Sequence, residues 1–254
     1  MIAFGLEANG RLRRRYLTLE DGFGAYKSEW MESGEGSQLS PTVFLVEQPA
    51  GSTLNTHFHR QNEFQVVVQG MGTLGPHPLR PYTVHYAGAY SGYGPIVAGP
   101  EGLSYFTIRA TFDIGALNDK ALMQRGPKRQ EHPAPVEACA ESRLQTLQVS
   151  ESSELINRPG DALSSGLHRL PAGSSMALQP APAGEGLFAM VIAGSAVVQG
   201  TTLRRWENVF LSCAETALRM YAGESGCEFL TMQMPRLDEA YRTSGTIPAL
   251  HLPK

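Results

Sequence analysis

His57 and His59 stand two residues apart, and Glu63 follows four residues after His59. On a β-strand, residues i and i+2 project from one face, so the two imidazoles are expected to point the same way. Two imidazoles and one carboxylate on adjacent strands can hold one face of a divalent metal and leave other positions open. Glu63 directly precedes the apolar run Phe64 to Val68. If Glu63 faces inward, the period of two takes Gln65 and Val67 with it, and Asn55 goes with His57 and His59. Gln65 and Asn55 are then candidates for positioning a substrate, or for structural hydrogen bonds inside the fold. Phe106 and Tyr93 are candidates for an apolar wall.

The elements that must position these residues are short and β-like. Runs such as Val43 to Val46, Phe64 to Val68, Val84 to Tyr86 and Tyr105 to Ile108 recur between Gly and Pro clusters, as do Leu187 to Ile192, Val209 to Leu211 and Phe229 to Met232. Many short strands separated by turn signals predict an all-β sandwich or barrel. Helical periodicity is nearly absent. Asp113 to Arg125 is the one expected helix, and a polar, Pro-containing stretch runs on to about Ser142 as a linker.

The two halves are related. Sliding the sequence by 124 positions lays Leu54 on Leu178, Phe64 on Phe188, Val67 on Val191, Gly70 on Gly194, Leu79 on Leu203, Gly102 on Gly226 and Thr107 on Thr231. Turn glycines and strand-filling apolar residues keep register together without a gap. Two copies of one β-domain follow, with expected bounds 1–112 and 143–254 around a linker at 113–142. In this register His57 falls on Ala181, His59 on Ala183 and Glu63 on Leu187. The second copy is therefore expected to keep the fold and lack metal ligands.

Composition removes several classes of function. The 254 residues are 42% hydrophobic with a formal net charge of −3, which points to neither a nucleic-acid nor an anionic-membrane partner. The basic run Arg11, Arg13, Arg14, Arg15 reads as a solvated strand or arm. Cys139, Cys213 and Cys227 are too few and too scattered for a disulfide framework. No signal peptide and no membrane-length apolar run is seen, and a soluble cytoplasmic protein is expected. Phosphate loops, dinucleotide fingerprints and nucleophile elbows are missing from the sequence.

The spacing Gly51-x5-His57-x-His59-x3-Glu63-x6-Gly70 resembles the first motif of the cupin superfamily at every defined position. Leu79 to Tyr86, with Gly94 to Gly99, resembles the second motif more loosely. With its internal repeat, the chain resembles a bicupin. The resemblance implies two tandem jelly-roll barrels, the second degenerate. It also implies a metal in the mouth of the first. Cupins usually supply a third histidine just before a Gly-Pro step, and here Tyr93 takes that place in Ser91-Gly92-Tyr93-Gly94-Pro95. A phenol with an ordinary pKa of about 10 is a weak neutral ligand. Tyr93 is left with three roles: coordinating as phenolate, donating a hydrogen bond, or pointing away. His85 is an alternative ligand or a packed strand residue, and His77 a weaker alternative or an exposed turn residue.

The donor set suits one divalent transition metal among Fe, Mn, Ni, Zn, Co and Cu. The leading expectation is a metal-dependent enzyme acting on a small organic molecule, of dioxygenase type or else a lyase or isomerase. His57, His59, Glu63 and Tyr93 are its candidate metal ligands, with Tyr93 and Gln65 as candidate catalytic residues. The alternative is a non-catalytic small-molecule-binding or sensory module. By resemblance, a homodimer is expected.

Overall fold

Alternating apolar and polar positions give the chain its strands, and glycines with positive φ turn them. The structure, a computed structural model, describes residues 1–32, 39–113, 115–125 and 128–236. Strands dominate, and the helices among the described residues are the short Glu7–Leu12, Lys120–Arg125 and Glu141–Thr146. The expected helix from Asp113 is thus confined to Lys120–Arg125, with Asp119 Oδ1 accepting from the backbone N–H groups of Ala121 and Leu122 at its start.

The described residues form two units, each built on its own sheet. The N-terminal barrel takes in 12–29 and most of 39–135. Its main strand order is Gln130–Glu131, Val84–Ala87, Glu63–Leu74, Ile96–Arg109, Thr42–Gln48, Gly24–Glu32, Arg14–Thr18. Gln130–Glu131, expected in the linker, instead pairs antiparallel with Tyr86 and Ala87. The strand Arg14–Thr18 is exposed throughout, in keeping with the solvated basic arm expected there.

The C-terminal barrel takes in 136–236, together with 1–11 and Trp30 to Glu32. Its order is Ile2–Gly5, Asn208–Leu211, Gly186–Val198, Leu218–Met234, Leu163–Leu170, Glu151–Arg158. The spatial division therefore departs from the division by position at 112 and 143. Ile2–Gly5 is an edge strand of the second unit, with Ile2 opposite Leu211 and Gly5 opposite Asn208.

The offset of 124 extends to backbone detail. The Glu63–Leu74 strand pairs with Ile96–Arg109 with register shifts between Val67 and Gln69 and between Gly70 and Gly72. Gly186–Val198 pairs with Leu218–Met234 with shifts at Val191/Ala193 and Gly194/Ala196, each displaced by the same offset. Gly70 has φ 76° and Gly194 has φ 70°. A Cβ at either would lie 2.2 Å from a carbonyl oxygen, that of Gly102 or Gly226. Only glycine tolerates both the left-handed backbone and that approach, so a bulge glycine at this point recurs in both copies.

The repeat also fixes which face is interior. In the C-terminal barrel, Leu187, Ala189 and Val191 join Val209, Leu211, Cys227 and Phe229 in one buried apolar cluster. In the N-terminal barrel, Val67 packs with Leu74, Leu79, Ile96, Tyr93 and Tyr105. Further along the same strand face stand Gln65 and Glu63, where the second barrel has Ala189 and Leu187.

Candidate metal centre in the first barrel

The chain entering the barrel presents the two histidines from opposite Tyr93. His57 and Tyr93 form an isolated antiparallel bridge, with reciprocal backbone hydrogen bonds of 3.1 and 3.0 Å. The imidazole of His57 donates from Nδ1 to the backbone carbonyl of Asn55 at 2.8 Å. A carbonyl oxygen can only accept, so Nδ1 carries the proton and Nε2 the lone pair. The hydroxyl of Tyr93 donates to that Nε2 at 2.9 Å. Burial, reinforced by neighbouring His59, pushes the pKa of His57 down to about 4, which keeps the ring neutral near pH 7.

His59 is anchored in the same manner by a different partner. Its Nδ1 donates to Asp113 Oδ1 at 3.0 Å, and its ring lies 5.2 Å from that of His57. Asp113 also accepts from the backbone N–H groups of Arg60 and Gly115. Burial opposes its ionisation, but the His59 hydrogen bond, Arg109 and these contacts outweigh burial and hold the carboxyl below its ordinary range. Histidines that bind metals through one nitrogen commonly have the other held by a carboxylate or carbonyl, and both rings have that arrangement here.

Glu63 opens the central strand and is 1% exposed. Its Oε2 accepts from Arg109 Nε at 2.9 Å and Nη2 at 2.6 Å. Its Oε1 is buried with no hydrogen-bond partner. Burial alone would raise this carboxyl's pKa; Arg109, His59 and the neighbouring Tyr93 overcome it and leave the pKa lowered. The Tyr93 phenol is raised well above its ordinary value, first by burial and then by the charge of Glu63, so it stays protonated.

Gln65 links the cluster outward. Its amide nitrogen donates to the Tyr93 hydroxyl at 3.3 Å, and its Oε1 accepts from His85 Nδ1 at 3.0 Å. His85 is buried, and burial with His132 beside it lowers its pKa to about 3. His77 is exposed and stacks on His132 with centroids 3.7 Å apart.

The structure thus brings His57, His59, Glu63, Gln65 and Tyr93 into one buried cluster, with His85 on its margin through Gln65. Two assignments change, Asn55 as an inward positioning residue and Phe106 as wall. Asn55 is exposed and its side chain donates to Asp21; its main-chain carbonyl is what serves the site. Tyr105, not Phe106, packs with Tyr93 and Val67, because alternation sends Phe106 to the opposite face. Sequence reasoning passed over Arg109 and Asp113. Arg109 had a signal: it continues the alternate positions Tyr105 and Thr107 at the end of an apolar strand. Asp113 had none, since its partner lies 54 residues away.

Divalent metal is the group the fold suggests for this place. The donors fit it in chemistry: two imidazoles with Nδ1 fixed, and a buried carboxylate with one oxygen unpartnered. As placed, no three His, Cys, Asp or Glu side chains among the described residues are gathered closely enough to close around an ion.

No protein-family model and no curated protein matches the chain. Solved structures do. A bacterial pirin, YhhW from Escherichia coli, solved in complex with nickel(II), is 13% identical with a TM-score of 0.55, covering 92% of this chain and 100% of that one. Oxalate decarboxylase from Bacillus subtilis is 12% identical with a TM-score of 0.53, covering 89% of this chain and 75% of that one. Salicylate 1,2-dioxygenase from Pseudoaminobacter salicylatoxidans, with gentisate adducts, is 15% identical with a TM-score of 0.50, covering 78% and 70%. At these identities the likeness concerns the fold. No described helix is long and apolar enough to cross a membrane. Two strand-built units related by a constant offset, the first enclosing the His57–His59–Glu63 cluster, give this chain the strand-built fold it shares with these three solved structures.

Proposed function

We propose that the chain is a divalent-metal-dependent enzyme of dioxygenase type acting on a small organic molecule in its N-terminal barrel. One observation carries this reading: His57 and His59 are both held through Nδ1 while Glu63 keeps an unpartnered oxygen in the same buried cluster. His57, His59 and Glu63 are the ligands, with Tyr93 as further ligand or acid/base. The structures it resembles include a nickel(II) complex, a salicylate dioxygenase and an oxalate decarboxylase, which supports the class. When bound, the metal supplies Lewis-acid or redox chemistry toward an oxygen-bearing substrate.

The chain's own residues do the rest. Asn55 and Asp113 fix the tautomers of the two imidazoles. Tyr93 keeps its proton and donates a hydrogen bond to His57 Nε2. Gln65 orients the Tyr93 hydroxyl. Apolar Val67 and Tyr105 keep the surroundings dry. The free thiols of Cys139, Cys213 and Cys227 suit a reducing, cytoplasmic setting, and exposed edge strands are compatible with a homodimer.

A second reading, a non-catalytic binding or sensory module, is favoured by the closed Glu63–Arg109 pair. Metal analysis of protein purified without added metal separates the two. Stoichiometric metal in the wild type that is lost in His57→Ala supports the enzyme. Equal metal content in both removes it. Oxygen uptake with Fe(II) and small carboxylic acids then tests the reaction type.

A further inference from the structure

Glu63 offers its two oxygens unequally. Oε2 is taken twice by the Arg109 guanidinium, at 2.6 and 2.9 Å, while Oε1 has no hydrogen-bond partner. Arg109 is 4% exposed and is held on the same face as Tyr105 and Thr107 by its strand. Ile108 is paired with Phe64, and Arg109 itself is opposite Thr42. A guanidinium stays charged at any pH the fold survives. The carboxylate that a divalent ion needs is therefore already neutralised by a cation belonging to the chain.

The second barrel supports the pairing. Where Glu63 stands, it has Leu187, and where Arg109 stands, it has Gln233. Gln233 is buried and bonds to backbone: its Nε2 donates to the carbonyls of Gly186 and Met234, and its Oε1 accepts from the Ala181 N–H. Carboxylate and guanidinium are present together in one copy and absent together in the other.

We propose that Arg109 is a built-in competing cation that holds Glu63 and sets a low affinity for the divalent ion at the His57–His59–Glu63 site. The inference rests on the metal-dependent reading. A guanidinium this close to the site repels a divalent cation, and its removal frees Oε2. A purely structural role for Arg109 predicts the opposite sign, since losing a partner that orients a ligand weakens metal binding.

The test is Zn2+ titration by calorimetry on the full chain after chelator treatment and dialysis. Arg109→Gln copies the side chain the second barrel already tolerates. It should bind Zn2+ at least about tenfold more tightly than wild type, because one unit of fixed positive charge is gone. Arg109→Lys keeps the charge and should stay near wild type. Adding His57→Ala to the Arg109→Gln background should abolish the gain. If wild type binds and Arg109→Gln binds equally or more weakly, the inference falls and the metal reading stands. If only Arg109→Gln binds, the inference holds and the wild type is no metalloenzyme. If neither binds, both fall. Should Arg109→Gln fail to fold, nitrogen-15 arginine spectra of the wild type decide. Saturating Zn2+ should shift the Arg109 Nε–H signal, and an unmoved signal overturns the inference.

Discussion

The two barrels share a backbone plan and differ in what they enclose. At the interior positions of the central strand and its neighbours, the N-terminal barrel carries Glu63, Gln65, His85 and Arg109. The C-terminal barrel carries Leu187, Ala189, Val209 and Gln233 at the same positions. The bulges, the turn glycines and the cross-strand register are common to both. Leu187, Ala189 and Val209 give the second barrel an apolar cluster, where fully burying a side chain of the size of Leu or Val contributes about 1.5–3 kcal/mol. The first barrel replaces that gain with a polar network, and charges out of water are tolerated only when paired. The second copy forms its sheet without the polar set, which supports the proposal that the set in the first copy serves chemistry rather than the fold.

The comparison is broken hardest at the ion pair. Glu63→Leu, which imports the residue of the second barrel, strands Arg109 as an uncompensated buried charge. It should cost about 3–5 kcal/mol of stability, measured by urea unfolding. The double variant Glu63→Leu with Arg109→Gln should recover most of the loss. If the double variant is no better than the single one, the two interiors are not interchangeable and the equivalence of positions is wrong.

Acid is the next probe. His57 has a folded pKa of about 4, below the ordinary value of about 6.5. Between those values the unfolded chain binds the proton and the folded chain does not, so stability must fall as pH drops through that window. The loss from His57 alone is on the order of 3 kcal/mol, and His85, at about 3, acts in the same direction. Among the described residues the C-terminal barrel has a single histidine, His168, also lowered by burial. Hydrogen exchange of chelator-treated protein should therefore show protection falling below pH 6 in Glu63–Leu74 before it falls in Gly186–Val198. Simultaneous loss in both strands would show that the difference in interior chemistry does not set acid stability.

The smallest effect sharpens the shared half of the comparison. Gly70→Ala and Gly194→Ala each place a Cβ against a carbonyl at positive φ. Each should cost on the order of 1–3 kcal/mol, and the two costs should agree closely. Thermal melts of the paired variants would expose unequal costs, and with them a bulge that only one barrel depends on.

These pairs also show what could be read from the chain alone. The recurring glycines were legible because a left-handed backbone is a local demand repeated at a fixed offset, though they read as turns and form bulges. His57, His59 and Glu63 were legible from their local spacing, although His57 sits in an isolated bridge and His59 in no named strand. Arg109 was legible in its face but not in its partner, which cross-strand register chooses, and Asp113 was not legible at all, because loop return brings it to His59. From Phe64 to Val67 the pairing with Ile108 to Tyr105 runs without a shift, so alternation alone carries Arg109 to the face of Tyr105 and Thr107. Asn55 was misassigned for a related reason: the alternation expected there gives way where Thr53–Leu54 ends and the chain turns.

The pairing of Ile2–Gly5 with Asn208–Leu211 has a cost during synthesis. Those early residues must wait, without their sheet partners, until almost all of the second barrel has left the ribosome. A fragment beginning near residue 143 would lack the Ile2–Gly5 strand and bare the backbone N–H and C=O groups of Asn208–Leu211. Such an open edge invites association with other chains, so the second barrel should be soluble by itself only when its missing strand is supplied as a separate peptide or spliced onto it.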